Sequence, residues 1–178
     1  MTELEDDQVV ENVLAGDTDQ FALLVKRYQV LVRSYCGQML GDPERGWDES
    51  QEVFLKAYKK LSTFRGESKF SSWLMKIAKN HCIDCSRSSW FRKLVSLDNS
   101  KPLTDRGHEP AIEAGDLSKL IINSLQDDQR AVLILREVEG YSYAEIAEIL
   151  EISQDAVKGK IKRAREKARQ LRDELEKI

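Results

Sequence analysis

The sequence has 178 residues, of which 41% are hydrophobic and 33% are charged, and its formal net charge is -3. This length allows one medium or two small domains with a buried core. Three cysteines exclude a disulfide framework, and no apolar run reaches membrane-spanning length. The N-terminal segment is acidic and lacks the pattern of a secretory signal, so we expect a soluble, cytoplasmic protein without membrane insertion.

Charge is segregated along the chain, with an acidic stretch followed by a basic one, twice. Residues 1–55 carry a net charge of -8 and residues 56–92 one of +7; residues 116–153 carry -5 and residues 154–172 carry +6. A solvated surface usually mixes the two signs, so two separate basic blocks favour two contacts with one polyanion. For either block taken singly, a solvated basic helix face is the alternative.

Helical periodicity dominates the first half. A short helix before Gly16 is followed by a long helix that begins near Asp17, in a variant of the capping box, and ends near Gly41. The next helix is predicted over about residues 48–61 and another over about residues 69–88. These elements predict a small helical bundle over residues 1–92.

The periodicity is lost over residues 93–115, which contain two of the three prolines together with Gly, Ser and Asn. Helical spacing resumes at Leu117. The sequence therefore predicts an all-α fold with two small domains, residues 1–92 and 116–178. The flexible linker between them, residues 93–115, is long enough to span roughly tens of ångströms.

Residues 142–172 predict a helix-turn-helix. Ser142 and Glu145 form a capping box, and Ser153 is placed to cap a second helix after a short turn. The second helix is rich in Lys and Arg, which neutralise phosphates and can donate to guanine edges. Glu151 stands where such turns usually carry Gly, so either the turn differs or Glu151 adopts a strained left-handed backbone. A helical hairpin with a basic face is the alternative.

The other basic block interleaves aromatic and basic side chains. Aromatic platforms within positive charge suit unpaired bases. The helical spacing of Phe70 and Trp73 makes burial in the core the alternative for these two. The block contains Phe64, Phe70, Trp73, Trp90 and Phe91 among Arg65, Lys69, Lys76, Lys79, Arg87, Arg92 and Lys93.

Two segments resemble conserved regions of one known family. Residues 48–84, DESQEVFLKAYKKLSTFRGESKFSSWLMKIAKNHCID, resemble the second region of bacterial RNA polymerase sigma factors of the extracytoplasmic-function (ECF) group. Residues 125–169, LQDDQRAVLILREVEGYSYAEIAEILEISQDAVKGKIKRAREKAR, look like the fourth region. The resemblance implies a factor that binds core RNA polymerase, directs it to specific promoters and helps to open the DNA. Such factors commonly act in stress or envelope responses, held inactive by an anti-sigma protein.

The resemblance also implies roles for particular residues. Docking on the polymerase β′ coiled coil is implied for Asp48, Gln51, Glu52 and Phe54, and the C-terminal domain would touch the β flap. Contact with the minus-ten element and its unpaired non-template strand is implied for Lys69, Lys76, Lys79, Asn80, Asp84 and Arg87. Contact with the minus-thirty-five element is implied for Ser153, Gln154, Lys158, Lys160, Lys162, Arg163 and Arg165. Glu49 and Ser50 stand where the family usually has an apolar pair.

Three rival interpretations follow from the residues. His81, Cys82 and Cys85 form a compact group, but their spacing cannot place all three on one helical face, so we predict no metal site and no cofactor. The sequence has no glycine-rich phosphate loop and no nucleophile motif, so we predict that the protein is not an enzyme. A free-standing helix-turn-helix regulator is the third, although a protein that binds only duplex DNA has no use for stacking platforms.

Overall fold

A computed structural model describes residues 4–96 and 120–175, and all of the regular structure in these ranges is helical. The helices of the first range are α1 (Asp6–Leu14), α2 (Phe21–Leu40), α3 (Pro43–Lys59) and α4 (Phe70–Ser96). Those of the second range are a helical segment at residues 120–123, α5 (Asp127–Leu133), α6 (Tyr143–Leu150) and α7 (Gln154–Leu175). The predicted all-α class is confirmed. Apart from residues 93–96, which continue α4, the predicted linker lies outside the described residues.

Helices α2 and α3 cross at two glycines. A Cβ added to Gly46 would lie only 2.4 Å from the Cα of Gly37. Helix α3 begins at Pro43, where the Oδ1 of Asp42 accepts hydrogen bonds from the backbone N–H groups of Glu44 (2.9 Å) and Arg45 (3.1 Å). The predicted start near Asp48 was therefore wrong, because the Asp-Pro capping signal outweighs the polar residues that follow it.

The predicted ends of the neighbouring helices had mixed outcomes. Asp17 makes no side-chain cap; its carboxylate instead accepts a 2.6 Å hydrogen bond from Gln20, and α2 begins at Phe21 after a turn of 3-10 helix. The predicted end near Gly41 is confirmed, since Gly41 has a φ of 69° in the left-handed region. Helix α4 runs to Ser96, beyond the predicted end near residue 88.

The N-terminal and C-terminal halves pack against each other and share one hydrophobic core. An Arg130 N–H donates to the Met39 carbonyl oxygen at the end of α2 (2.6 Å), and the Ser34 hydroxyl donates to Glu139 (2.8 Å). Glu139 follows a turn of π-helix, residues 134–138, and its N–H donates to the Ile134 carbonyl oxygen at 3.0 Å. The wider helical turn thus precedes a partly buried polar contact between the halves.

Candidate nucleic-acid interface

A cavity of about 240 Å³ lies between α3 and α4. Three of the residues predicted to contact the minus-ten element, Lys76, Asn80 and Asp84, line it together with the indole of Trp73. An aromatic face, an amide and several cations are the groups that hold an extruded base and its phosphate. The remaining lining residues are Lys56, Lys60, Thr63, Ile77 and His81.

The other predicted minus-ten residues lie outside this cavity. Lys79 is half-buried and Arg87 is exposed. The ammonium of Lys69 donates to Glu145 at 2.7 Å, across the contact between the halves. Phe70 is buried, so the alternative of a core position is correct for this residue. Trp73 is only partly buried and lines the cavity.

Three of the four predicted polymerase-docking residues lie on the outer side of α3. Exposed among them are Asp48, Gln51 and Glu52. With Glu49 and Leu55 they line a shallow depression of about 310 Å³. Phe54 differs from this expectation: it is 8% exposed and belongs to the core, while its neighbour Leu55 is 52% exposed. The apolar group available on this surface is therefore Leu55.

Glu49 and Ser50, which stand where the family usually has an apolar pair, both form hydrogen bonds. The Ser50 hydroxyl donates to the Trp47 carbonyl oxygen at 2.6 Å. Glu49 accepts hydrogen bonds from His81 Nε2 (2.7 Å) and from the Cys85 thiol (3.3 Å). Burial acts to raise the pKa of Glu49, but these hydrogen bonds and the charges nearby outweigh it and hold the pKa below its usual value.

The group of His81, Cys82 and Cys85 divides between two environments. Cys82 lies fully buried beside Cys36, and the hydrogen bond with Cys36, followed by burial, raises the pKa of the Cys82 thiol. His81 and Cys85, four residues apart, share the other face of α4 with Glu49 of α3. Burial and the hydrogen bond to Glu49 raise the pKa of Cys85 to about 11. The spacing argument was correct for the three residues it considered, and it missed Glu49.

The predicted helix-turn-helix is present. Glu145 N–H donates to the Ser142 hydroxyl at 3.2 Å, and Ser142 N–H donates to the Glu145 carboxylate at 2.9 Å, which completes the capping box. Glu151 has a φ of 56°, so of the two alternatives the strained left-handed backbone is correct. Ser153 accepts a hydrogen bond from Ala156 N–H at 3.2 Å and caps α7 as predicted.

Helix α7 buries an apolar stripe, Val157, Ile161 and Ala164, and presents its basic residues outward. Two of the predicted cations are engaged by carboxylates: Lys160 by Asp128 at 3.1 Å, and Arg165 by Glu137 at 2.5 Å. A third, Lys158, pairs with Asp155 at 3.1 Å. Within the described ranges Lys162 and Arg163 form no ion pair, and both are exposed, as is Gln154.

The contact between the halves joins the two candidate DNA surfaces. Besides the Lys69–Glu145 pair, the Lys76 ammonium lies 2.6 Å from the carboxylate of Glu151. The hydrogen bond from Lys69, followed by those from Ser142, lowers the pKa of Glu145 to about 2. The sequence alone predicted a helix cap for Glu145 and a turn position for Glu151, and no contact of either carboxylate with the first half. The segregation of charge was the signal that basic α4 and acidic α6 are complementary.

Comparison with known proteins identifies the family. The family models described as Sigma-70 region 2 and Sigma-70, region 4 match residues 24–92 and 119–167. The ECF RNA polymerase sigma-E factor of Escherichia coli K12 is 35% identical, and the match covers 92% of each chain. The chain belongs to the ECF sigma factors of the sigma-70 family. The RNA polymerase sigma-H factor of Pseudomonas aeruginosa is 34% identical to this sigma factor, and the match covers 93% of each chain. SigW of Bacillus subtilis is also 34% identical, with 92% of this chain and 95% of SigW covered.

Solved structures show the same fold. CnrH, in complex with the cytosolic domain of CnrY, superposes with a TM-score of 0.70 at 24% identity, covering 94% of this chain and 97% of that one. RpoE of Bartonella quintana, in complex with the anti-sigma factor NepR, gives 0.68 at 23% identity, covering 85% and 95%. No helix in the described part of the sigma factor is long and apolar enough to cross a bilayer.

Proposed function

We propose that this sigma factor holds an unpaired base of the minus-ten element in the cavity between α3 and α4. The observation that carries the proposal is that Lys76, Asn80 and Asp84 line one cavity together with Trp73. The indole offers a stacking face, Asn80 and Asp84 offer hydrogen bonds to base edges, and the lysines offer charge for the phosphate. Each group matches a different part of an extruded nucleotide.

Helix α7 supplies the second DNA contact in this proposal. Its N-terminal residues follow the helix-turn-helix turn, the place from which such helices touch base edges in the major groove. Gln154, Lys158, Lys162 and Arg163 are exposed there. Arg163 is our candidate for a base contact at the minus-thirty-five element, because it is the arginine of this set and arginine pairs bidentately with guanine.

Polymerase docking is assigned to the outer side of α3. Its depression combines the acidic and amide groups of Asp48, Gln51 and Glu52 with the exposed side chain of Leu55. A basic helical partner such as the β′ coiled coil would meet complementary charge and one apolar contact. The C-terminal domain would contact the β flap. The sigma factor would act in this way as a cytoplasmic, non-enzymatic subunit.

The packed arrangement of the halves is, in this proposal, a state that does not bind DNA. Two cations that must face phosphates, Lys69 and Lys76, instead face Glu145 and Glu151. Binding to core polymerase would separate a domain of residues 1–92, extended to Ser96 by helix α4, from a domain of residues 116–178. The rest of the predicted linker, residues 97–115, would then set the distance between the two promoter contacts.

An anti-sigma protein completes the set of proposed partners. The structures of CnrH and of the Bartonella quintana RpoE are both complexes, the second with a protein named as an anti-sigma factor. This sigma factor also has a largely apolar cavity of about 620 Å³ beside the α2–α3 crossing, with Val30 75% exposed at its edge. An amphipathic segment of an inhibitor would bury such a surface.

Run-off transcription tests the proposed function. The protein is mixed with sigma-free bacterial core polymerase and fragmented genomic DNA of its host, and specific transcripts that require the protein are expected. Asn80→Ala should lower open-complex formation at the promoter found, with Gln29→Ala, an exposed α2 change, as the control. Normal melting by Asn80→Ala would remove Asn80 from the site. Binding to duplex DNA without any core binding or initiation would instead indicate a free-standing regulator.

A further inference from the structure

Glu49, His81 and Cys85 bring a carboxylate oxygen, an imidazole nitrogen and a thiol sulfur together between α3 and α4. Glu49 Oε2 lies 2.7 Å from His81 Nε2 and 3.3 Å from Cys85 Sγ, and the Sγ lies 3.7 Å from Nε2. Among the described residues this is the one group of three such side chains whose ligand atoms all lie within 4.8 Å of one another. The three atoms form a small triangle, the arrangement of donors around a shared ion.

We propose that these three residues bind a divalent transition-metal ion of the zinc class. Zinc bonds of about 2.0–2.3 Å at tetrahedral angles place the ligand atoms roughly 3.3–3.6 Å apart. The two separations that involve sulfur, 3.3 and 3.7 Å, are already close to these values. The oxygen–nitrogen separation, 2.7 Å, is that of a hydrogen bond, and it widens by about half an ångström when a metal replaces the proton.

The donor set selects the metal. Sulfur and nitrogen together favour zinc, cobalt(II) or a similar ion over magnesium and calcium, which prefer oxygen ligands. Three protein ligands leave a fourth tetrahedral position for water, as in open zinc sites. Access is available past Glu49, whose side chain is 21% exposed, while His81 is 8% exposed at its side chain. The site is therefore suited to an exchangeable ion rather than to a sealed structural one.

The helices hold the three ligands in place without the metal. His81 and Cys85 are four residues apart, so they lie on one face of α4. The second carboxylate oxygen of Glu49, Oε1, lies 3.5 Å from the guanidinium of Arg45, one turn earlier on α3. That contact orients the carboxylate and leaves Oε2 directed at His81 and Cys85. Such outer contacts typically strengthen metal binding.

Lys56 is the group that opposes the metal. Its ammonium lies 2.7 Å from His81 Nδ1, so Nδ1 accepts and the ring proton stays on Nε2, where the metal would bind. On binding, the Cys85 thiol releases its proton to solvent and the His81 proton moves from Nε2 to Nδ1. Two N–H groups cannot face each other, so the Lys56 side chain must turn away into the adjoining cavity. Removal of the Lys56 charge is therefore expected to strengthen binding.

Cobalt(II) titration of the full chain, under reducing and oxygen-free conditions, tests the proposal. A tetrahedral site with one thiolate gives intense visible d–d bands and a near-ultraviolet charge-transfer band, and we expect both to saturate at one ion per chain and to vanish on adding zinc. Cys85→Ser should abolish the charge-transfer band, and Glu49→Gln should weaken the affinity more than about 100-fold. Lys56→Met, which keeps the length without the charge, should bind about 10-fold more tightly than wild type.

The controls separate this site from non-specific binding. His108→Gln removes the other histidine, and Cys82→Ala removes the neighbouring buried thiol; both should bind cobalt as wild type does. Far-UV circular dichroism confirms that each variant is folded. If Cys85→Ser does not fold, Glu49→Gln takes its place as the variant that lacks one ligand. Weak octahedral spectra without charge transfer, or equal binding by wild type, Cys85→Ser and Glu49→Gln, would overturn the proposal and leave Glu49, His81 and Cys85 as a hydrogen-bonded cluster only.

Discussion

At the scale of single residues, the crossing of α2 and α3 depends on Gly46. A Cβ there would lie 2.4 Å from the Cα and 2.5 Å from the backbone nitrogen of Gly37, so the two helices must move apart. We expect Gly46→Ala to lower the free energy of unfolding by about 1–3 kcal/mol, the usual cost of overpacking. Urea denaturation followed by circular dichroism measures the change.

Gly159→Ala is the matched control for Gly46→Ala. A Cβ at Gly159 would meet only the end of the Arg163 side chain, at 3.5 Å, which can move. Because alanine is the better helix former, this variant is expected to be neutral or more stable by up to about 1 kcal/mol. Equal stability of the two variants would show that the glycine contact does not limit the approach of α2 to α3.

Arg163 differs from Lys160 and Arg165 on α7, because those two side chains are engaged by carboxylates within the described residues. We expect Arg163→Ala to weaken holoenzyme binding to the promoter by about 1–3 kcal/mol, and to do so selectively, if Arg163 contacts a base edge. The Arg163→Ala variant would then discriminate less between promoters that differ in their minus-thirty-five sequence. Equal weakening on every sequence would identify a phosphate contact, and unchanged core binding is the control for folding.

At the scale of elements, the turn between α6 and α7 stores strain at Glu151. Left-handed backbone costs a non-glycine residue roughly 1–2 kcal/mol, whereas the exposed pair of Glu151 with Lys76 contributes about 0–1 kcal/mol. We therefore expect Glu151→Gly to be about 1 kcal/mol more stable than Glu151→Gln, since both remove the charge and only the first removes the strain. Urea unfolding of the two variants gives the difference; a less stable glycine variant would contradict it.

The sequence predicted best the elements whose signals are local. The capping box at Ser142, the cap at Ser153 and the unusual turn at Glu151 lie within a dozen residues, and each is formed by neighbours in the chain. The cluster around His81 escaped prediction because Glu49 is 32 residues away and reaches it only when α3 packs on α4. The family resemblance assigned Phe54 to the docking surface, whereas its helical spacing with Val53 and Ala57 indicates the apolar face. The packed helix buries Phe54 and exposes Leu55.

At the scale of the whole molecule, the contact between the halves combines an apolar core with a few polar contacts. The Lys76–Glu151 pair joins residues 75 apart in sequence, so nothing local in the chain specifies it. Exposed ion pairs of this kind contribute little each and are screened by salt, so the apolar contact carries most of the association. Groups buried within the contact are therefore the ones whose change should shift the balance between packed and separated halves.

Glu139 is such a group. It is half-buried, and burial raises the pKa of its carboxyl above the ordinary value of 4.5, although the hydrogen bond from Ser34 acts in the opposite direction. A raised pKa means that the packed arrangement binds the proton more tightly than the separated one. The packed arrangement is thus favoured below pH 4.5 and loses stability as the pH rises through the raised pKa of Glu139.

The amide in Glu139→Gln keeps an oxygen that can accept the hydrogen bond from Ser34, and this side chain cannot ionise. We expect the radius of gyration of the wild-type chain, measured by small-angle X-ray scattering, to increase as the pH rises from 4.5 through the raised pKa of Glu139. The variant should stay compact over the same window, and at neutral pH its halves should be separated less often than in wild type. Glu166→Gln, an exposed change on α7, should follow the wild-type profile. Parallel profiles for Glu139→Gln and wild type would show that ionisation of Glu139 does not govern the separation of the halves.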